Sequence, residues 1–302
     1  MNNKVSTGIW LVFIGVIFLL DNFHIIDFHF LQILKFWPLL LVSMGINLLL
    51  QNRPNSTYLV VGLNILLCGF VFVKGIQHDP NQNFNINISN DELKNASFSK
   101  HVSTEYSSDI EEAVLELNGG AAKYNFVTRA DSSELLSGSS SNANVQLQME
   151  TGGSSKKKIE LNSSIKGSNS SKNLVEVMLN ENPAWTFEFN IGAALIQGDL
   201  SRLKIKRLEL NSGASKMNLT LPAPTLGTSS IEINTAASQV FLKIPKGVPC
   251  QVEYDSIISN NKLEDIDHKD GDVRKSSGYD QASNRYDIQI SGAANSLTIV
   301  RY

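Results

Sequence analysis

The residues of this chain best suited to chemistry are its histidines, its cysteines and one acidic loop, and their spacing argues against most of the chemistry they could do. The five histidines are His24, His29, His78, His101 and His268. None is set three or four residues from another in the HxxxH or HExxH patterns that put two imidazoles on one side of a helix for zinc. They read as interfacial or solvated side chains. The loop EDIDHKDGD, from Glu264 to Asp272, offers the oxygens of Asp267, Asp270 and Asp272, the donor type that calcium takes. It lacks the EF-hand spacing and the late Glu, and Lys269 sits inside it, so it reads as a solvated loop. Serines are abundant, but no GxSxG elbow occurs and no His/Asp pattern would activate one. TGGSSKKK, from Thr151 to Lys158, lacks the order of a phosphate loop and a helix to follow it, so it reads as a basic turn. The sequence therefore predicts no catalytic, cofactor-binding or metal-binding residues, and a protein that is not an enzyme.

Two unlike regions must position whatever the chain does. Residues 1–76 are largely apolar, with Lys4, Asp21, Asp27, Lys35, Arg53 and Lys74 as their charges. The remainder is rich in Ser, Asn, Thr and Gly and holds 22 basic against 27 acidic residues. That balance gives no electrostatic reason to bind nucleic acid. Cys68 lies in an apolar run and Cys250 in the polar region, which leaves no disulfide framework.

Three apolar runs occupy the first region: Val5–Leu20, Leu31–Leu50 and Thr57–Ile76. A helix needs about 17–25 mostly apolar residues to cross a bilayer, so the runs predict about three transmembrane helices. DNFHIIDF after the first run is no cleavage site for a signal peptide. Gly8 and Gly15, and Gly62 and Gly69, are seven apart, a spacing that would allow close helix contact; Gly is also simply frequent in membrane helices. Lys4 and Arg53 would share one side, whereas Asp21–Phe30 and Gly75–Leu93 carry no Lys or Arg. The bias puts the N-terminus inside and the C-terminal domain outside. Residues 77–110 read as a linker and lead-in, with a candidate strand around Phe84–Ile88, and 111–302 as one β domain.

Within that β domain one phrase recurs: LELNGGAAKYNF from Leu115, FEFNIGAALIQGDL from Phe187, LELNSGASKMNLTLP from Leu208, IEINTAASQVFLKIP from Ile231 and IQISGAANSLTIV from Ile288. Each is an alternating apolar–polar run, a small polar turn and a second alternating run, the period of half-buried strands. The starts at Phe187, Leu208 and Ile231 are 21 and 23 residues apart. That period predicts a solenoid in which each phrase is one rung stacked on the next; a β-sandwich of hairpins is the alternative. By the same period, the 72 residues from Leu115 to Phe187 would hold about three rungs, and the 57 from Ile231 to Ile288 about two and a half. Further strands, with worn turns, are expected near Val145–Met149, Lys158–Leu161 and Val175–Leu179. A stack has open ends, so caps or partners must cover them.

The N-terminal run with Gly8, Gly15 and Leu19–Asn22, then Trp37–Leu39 and Gly45, resembles the LiaF-type transmembrane domain. WTFEFNIGAALIQGDLSRLKIKRLELNSGASKMNLTLP and the closing IPKGVPCQVEY and SSGYDQASNRYDIQISGAANSLTIV resemble the toastrack-like β-solenoid of LiaF proteins. The resemblance implies an all-β solenoid, single-stranded β-helix-like, behind a helical transmembrane region. It implies an integral inner-membrane sensor or regulator of cell-envelope stress, acting by contact with a protein partner such as a two-component system or another envelope protein. LiaF proteins look like four-span molecules with a cytoplasmic C-terminal domain, and three spans are counted here. The family's Gly-Ala-Gly-Asp-like turns are Gly-Ala-Ala, Gly-Ala-Ser and Ala-Ala-Ser in this chain, so any role of that acidic position is lost. The competing expectation is a structural or adhesion-like envelope module that self-associates or binds envelope material. No cofactor and no nucleic acid is expected beside the bilayer and a protein partner.

Overall fold

The computed structural model describes residues 2–22, 39, 42, 43, 45, 56–76, 98 and 100–302, apart from 131, 143 and 166–172. The chain divides into two compact units, 1–85 and 86–302.

In the first unit, helix α1 runs Asn2–Asn22 and helix α2 runs Ser56–Ile76. Apolar side chains face outward on both: Leu11, Val12, Ile65 and Leu66 are between 59 and 68 % exposed. Among the described residues no helix is long and apolar enough to cross a membrane. Of the second apolar run only Leu39, Val42, Ser43 and Gly45 are among the described residues, and His24, His29, His78 and the lead-in strand at Phe84–Ile88 lie outside them. Among the described residues nothing lies within 4 Å of where a Cβ would stand on Gly8, Gly15, Gly62 or Gly69.

The second unit is a 13-stranded sheet made of strands β1 (Lys100–Glu105), β2 (Glu112–Arg129), β3 (Glu134–Ser140), β4 (Val145–Gly152), β5 (Lys156–Ile165), β6 (Leu174–Asn180), β7 (Ala184–Asp199), β8 (Lys204–Thr220), β9 (Thr228–Ile244), β10 (Cys250–Leu263), β11 (His268–Asp270), β12 (Val273–Lys275) and β13 (Arg285–Arg301). The five phrases are β2, β7, β8, β9 and β13, and they lie side by side in that order, parallel and in register. Leu115, Phe187, Leu208, Ile231 and Ile288, the first apolar residue of each phrase, form one continuous row. Ile159 extends the row on one side and Val252 on the other. All seven are no more than 1 % exposed. Parallel pairing of adjacent phrases rules out the sandwich of hairpins.

Each long strand bends at its small residues, and its two limbs line opposite sides of the core. The ring of Phe126, in the second limb of β2, lies 5.2 Å from that of Phe189 and 6.5 Å from that of Phe187, both in the first limb of β7. Trp185 stacks on Phe187 at 5.6 Å and donates its indole N–H to the Asn180 carbonyl at 2.8 Å. The bends need little unusual backbone. In the phrases only Gly292 has a positive φ, 142°, and a Cβ there would stand 1.7 Å from the Thr235 carbonyl oxygen. This explains why the bend of β9 can be written Thr-Ala-Ala.

The spacing arithmetic was misleading at two places. Leu115 and Phe187 are 72 residues apart but on adjacent rungs. The intervening β5 and β6 are two halves of a single rung on the other side of β2, one pairing with each limb. Ile231 and Ile288 are likewise adjacent, and β10, which comes between them in sequence, lies beyond β13. At each end the chain therefore lays one rung outside its sequence neighbour. Antiparallel strands finish the stack: β4 on β5, β3 and then β1 on β6, and the β11–β12 hairpin on part of β10.

Replacing Leu210, fully buried in the middle of the stack, by Ala removes core volume that rigid rungs cannot refill. Urea unfolding is expected to show a loss of about 2–5 kcal/mol. Gly292→Ala is expected to lose at least about 2 kcal/mol, while Gly120→Ala, with open space around it, stays near neutral.

Candidate functional site: a ladder face

The alternation that buries Leu115 and Leu117 turns the residues between and beyond them outward, and strict register repeats them on every rung. One outward row reads Glu160, Glu116, Glu188, Glu209, Glu232, Gln289, Glu253. The next reads Asn162, Asn118, Asn190, Asn211, Asn234, Ser291, Asp255. Parallel strands are about 4.8 Å apart, so the carboxylates are held as near neighbours, an arrangement that costs energy unless donors intervene.

The asparagines supply those donors. Asn190 donates its amide to Asn118 Oδ1, Asn211 to Asn190 and Asn234 to Asn211, each at 3.1 Å. The same amides reach the glutamates: Asn118 Nδ2 lies 3.3 Å from Glu116 Oε1 and from Glu160 Oε1, and Asn211 Nδ2 lies 2.9 Å from Glu209 Oε1. Cations two residues earlier in the strands add to this. Lys158 Nζ is 2.8 Å from Glu116, and Arg207 Nη2 bridges Glu209 at 2.9 Å and Glu232 at 2.7 Å. The hydrogen bonds from Lys158 and then Asn118 hold the Glu116 carboxyl below its usual range. Those from Asn211 and then Arg207 do the same for Glu209. The result is a regular and net acidic polar face. Such a surface offers many equivalent weak contacts to an extended partner, in contrast to the concave site that a small substrate needs.

The residues singled out in the sequence are not brought together. Asp267, Asp270 and Asp272 are all exposed around the β11–β12 hairpin. Among the described residues no three His, Cys, Asp or Glu side chains are grouped so as to hold a metal ion. His101 contacts Glu134 Oε1 and Ser139 Oγ, both at 3.2 Å, on the antiparallel cap. The glycines of TGGSSKKK turn the β4–β5 hairpin, with Gly153 at φ 81°. Cys250 is a free, fully buried thiol, raised in pKa by burial, and Arg301 Nη2 sits 3.1 Å from its sulfur. The polar ladder itself was available in the sequence: aligned phrase by phrase, the second letter is Glu four times and then Gln, and the fourth is Asn four times and then Ser.

Fold and face together define a β-rung scaffold that presents a polar surface, joined to an apolar N-terminal region. The chain belongs to the toast-rack family. The model of the N-terminal domain of toast_rack, DUF2154, matches residues 77–243, more than half of the chain, and that of the LiaI-LiaF-like transmembrane region matches residues 5–49. It is a LiaF-like, membrane-associated protein with a toast-rack β-solenoid. Among solved structures it is similar to a Clostridium sporogenes protein provisionally described as a cell adhesion protein. The TM-score is 0.57 at 16 % identity, over 67 % of this chain and 99 % of that one, a likeness of fold. A Bacteroides fragilis protein provisionally described as an adhesin matches with a TM-score of 0.22 at 10 % identity, over 68 % of this chain and 99 % of that one. No curated protein matches the chain by sequence.

Glu116 and Glu209 have depressed folded-state pKa values, so their stabilisation is complete above the ordinary glutamate value of 4.5 and is lost as pH falls through the folded values. Denaturation midpoints are expected to be flat near neutrality and to fall below about pH 4.5. The double variant Lys158→Ala, Asn211→Ala is expected to be less stable than the parent at about pH 7, with the difference narrowing as pH falls below about 4.5; the Asn211 bonds to Asn190 and Asn234, which do not titrate, leave a residual difference.

Proposed function

We propose that this chain is a non-catalytic regulator of the bacterial cell-envelope stress response, anchored in the inner membrane and acting through contact between its solenoid and a protein partner. The observation that carries this reading is the union, on one chain, of a LiaI-LiaF-like transmembrane region and a toast-rack domain. The ladder face supports it, since a broad repetitive polar surface suits a macromolecular partner. In this reading the three apolar runs cross the bilayer, and the distribution of Lys4 and Arg53 sets the solenoid outside the cytoplasm.

A second reading, a self-associating or adhesion-like envelope module, is favoured by one feature of the sheet. Among the described residues β12 covers β10 only at Gln251–Glu253, and no strand pairs with the outer edge from Asp255 to Leu263. An open edge of this kind is a template for another strand. The Clostridium sporogenes fold relative is compatible with this reading.

Three measurements test these readings. Deleting the gene is expected to change envelope-stress transcription after a cell-wall antibiotic, and an unchanged response sinks the regulatory reading. A compartment-dependent reporter fused after Tyr302, with a control at Asn52, is expected to report an extracytoplasmic C-terminus; a cytoplasmic signal overturns the three-crossing topology. For the second reading, sedimentation of the detergent-solubilised chain should show association that grows with concentration, and a monomer throughout counts against it.

A further inference from the structure

Three side chains, one from each apolar run of the sequence, meet in the first unit. Trp10 comes from α1, Ser43 from the second run and Asn64 from α2. The Trp10 indole N–H donates to Asn64 Oδ1 at 3.0 Å and to Ser43 Oγ at 3.2 Å. The Ser43 hydroxyl donates to the same Asn64 oxygen at 2.5 Å, and Asn64 Nδ2 donates to the Val60 carbonyl at 2.8 Å. Asn64 is 0 % and Ser43 3 % exposed. The residues around them in both helices are apolar, and many point outward.

We infer that Asn64 is a polar latch that fastens the three apolar runs into one bundle. The inference rests on the membrane reading above, because it is the absence of water that gives the latch its force. In hydrocarbon a freed indole N–H, hydroxyl or amide finds no water to replace its partner. Asn64 can turn its oxygen to two donors at once because its own amide is anchored one helical turn back on α2. Sliding or rotating α2 relative to both Trp10 and Ser43 breaks the two bonds to that oxygen together. The geometry therefore gives the bundle two discrete states, latched and released, and not a continuous range. A two-state element of this kind is what a signal arriving in the bilayer could shift.

Trp10 is itself the reporter. The full chain, labelled with 15N-tryptophan and held in micelles, has three indole N–H signals, from Trp10, Trp37 and Trp185; Trp10→Phe and Trp37→Phe assign them. Asn64→Leu is expected to speed exchange of the Trp10 indole proton by roughly five- to tenfold, the effect of losing one ordinary hydrogen bond. The Trp185 signal, whose partner is a solenoid carbonyl, should not move. Unchanged Trp10 exchange in Asn64→Leu overturns the latch. If Trp185 is disturbed as well, the milder Ser43→Ala variant decides: faster Trp10 exchange supports the latch and unchanged exchange rejects it. Recovery of the parent chain in the membrane fraction is scored separately, so a failure of the membrane reading is distinguishable from a failure of the latch.

Discussion

The solenoid depends on strict parallel register. The strands β2, β7, β8, β9 and β13 each pair with a neighbour on both sides, so a residue's identity on one rung is felt directly by its counterparts about 4.8 Å away. Inside, this stacks Leu, Ile and Phe into rows that no single strand could bury alone. Outside, it stacks like on like as well, and the glutamate row shows the cost. The Asn row one step along the strand meets that cost by donating sideways to its own kind and back to the carboxylates. Register thus creates the electrostatic problem and sets its remedy in a single operation.

The two ends of the stack are finished differently. At one end β4 and β3 run antiparallel to the rungs, and β1 pairs antiparallel with β3 beyond them. At the other, the short β11–β12 hairpin covers a few residues of β10. Side chains add to the backbone pairing of β13 with β9 and β10. Arg301 reaches the carbonyls of Val248 and Glu264, and Tyr286 and Tyr302 donate to the carbonyls of Pro222 and Leu221.

Much of the rung itself could be read in the chain. Alternation marked the buried positions Leu208, Leu210 and Ile231, and recurrence of the phrase marked the stack, because both follow from local geometry that each phrase repeats. The order of the rungs could not be read. Nothing in the spelling of Leu115 shows that its neighbours are Ile159 and Phe187, since sequence distance says how much chain intervenes and not on which side it returns. The ladder face was half legible: its letters recur plainly, but Glu and Asn read as ordinary solvent-facing residues until register sets them in rows. The meeting of Trp10, Ser43 and Asn64 was not legible, because each is a lone polar or amphipathic side chain in its own apolar run.

The placement of β13 between β9 and β10 also bears on how the domain is made. Residues 250–263 leave the ribosome before residues 285–301, yet the later strand must lie between the earlier one and the rest of the stack. Until it arrives, β9 has an unmated edge, and β10 has no proper seat. β13 therefore acts as a keystone: without it neither β9 nor β10 has the partner they share, and its arrival mates both at once.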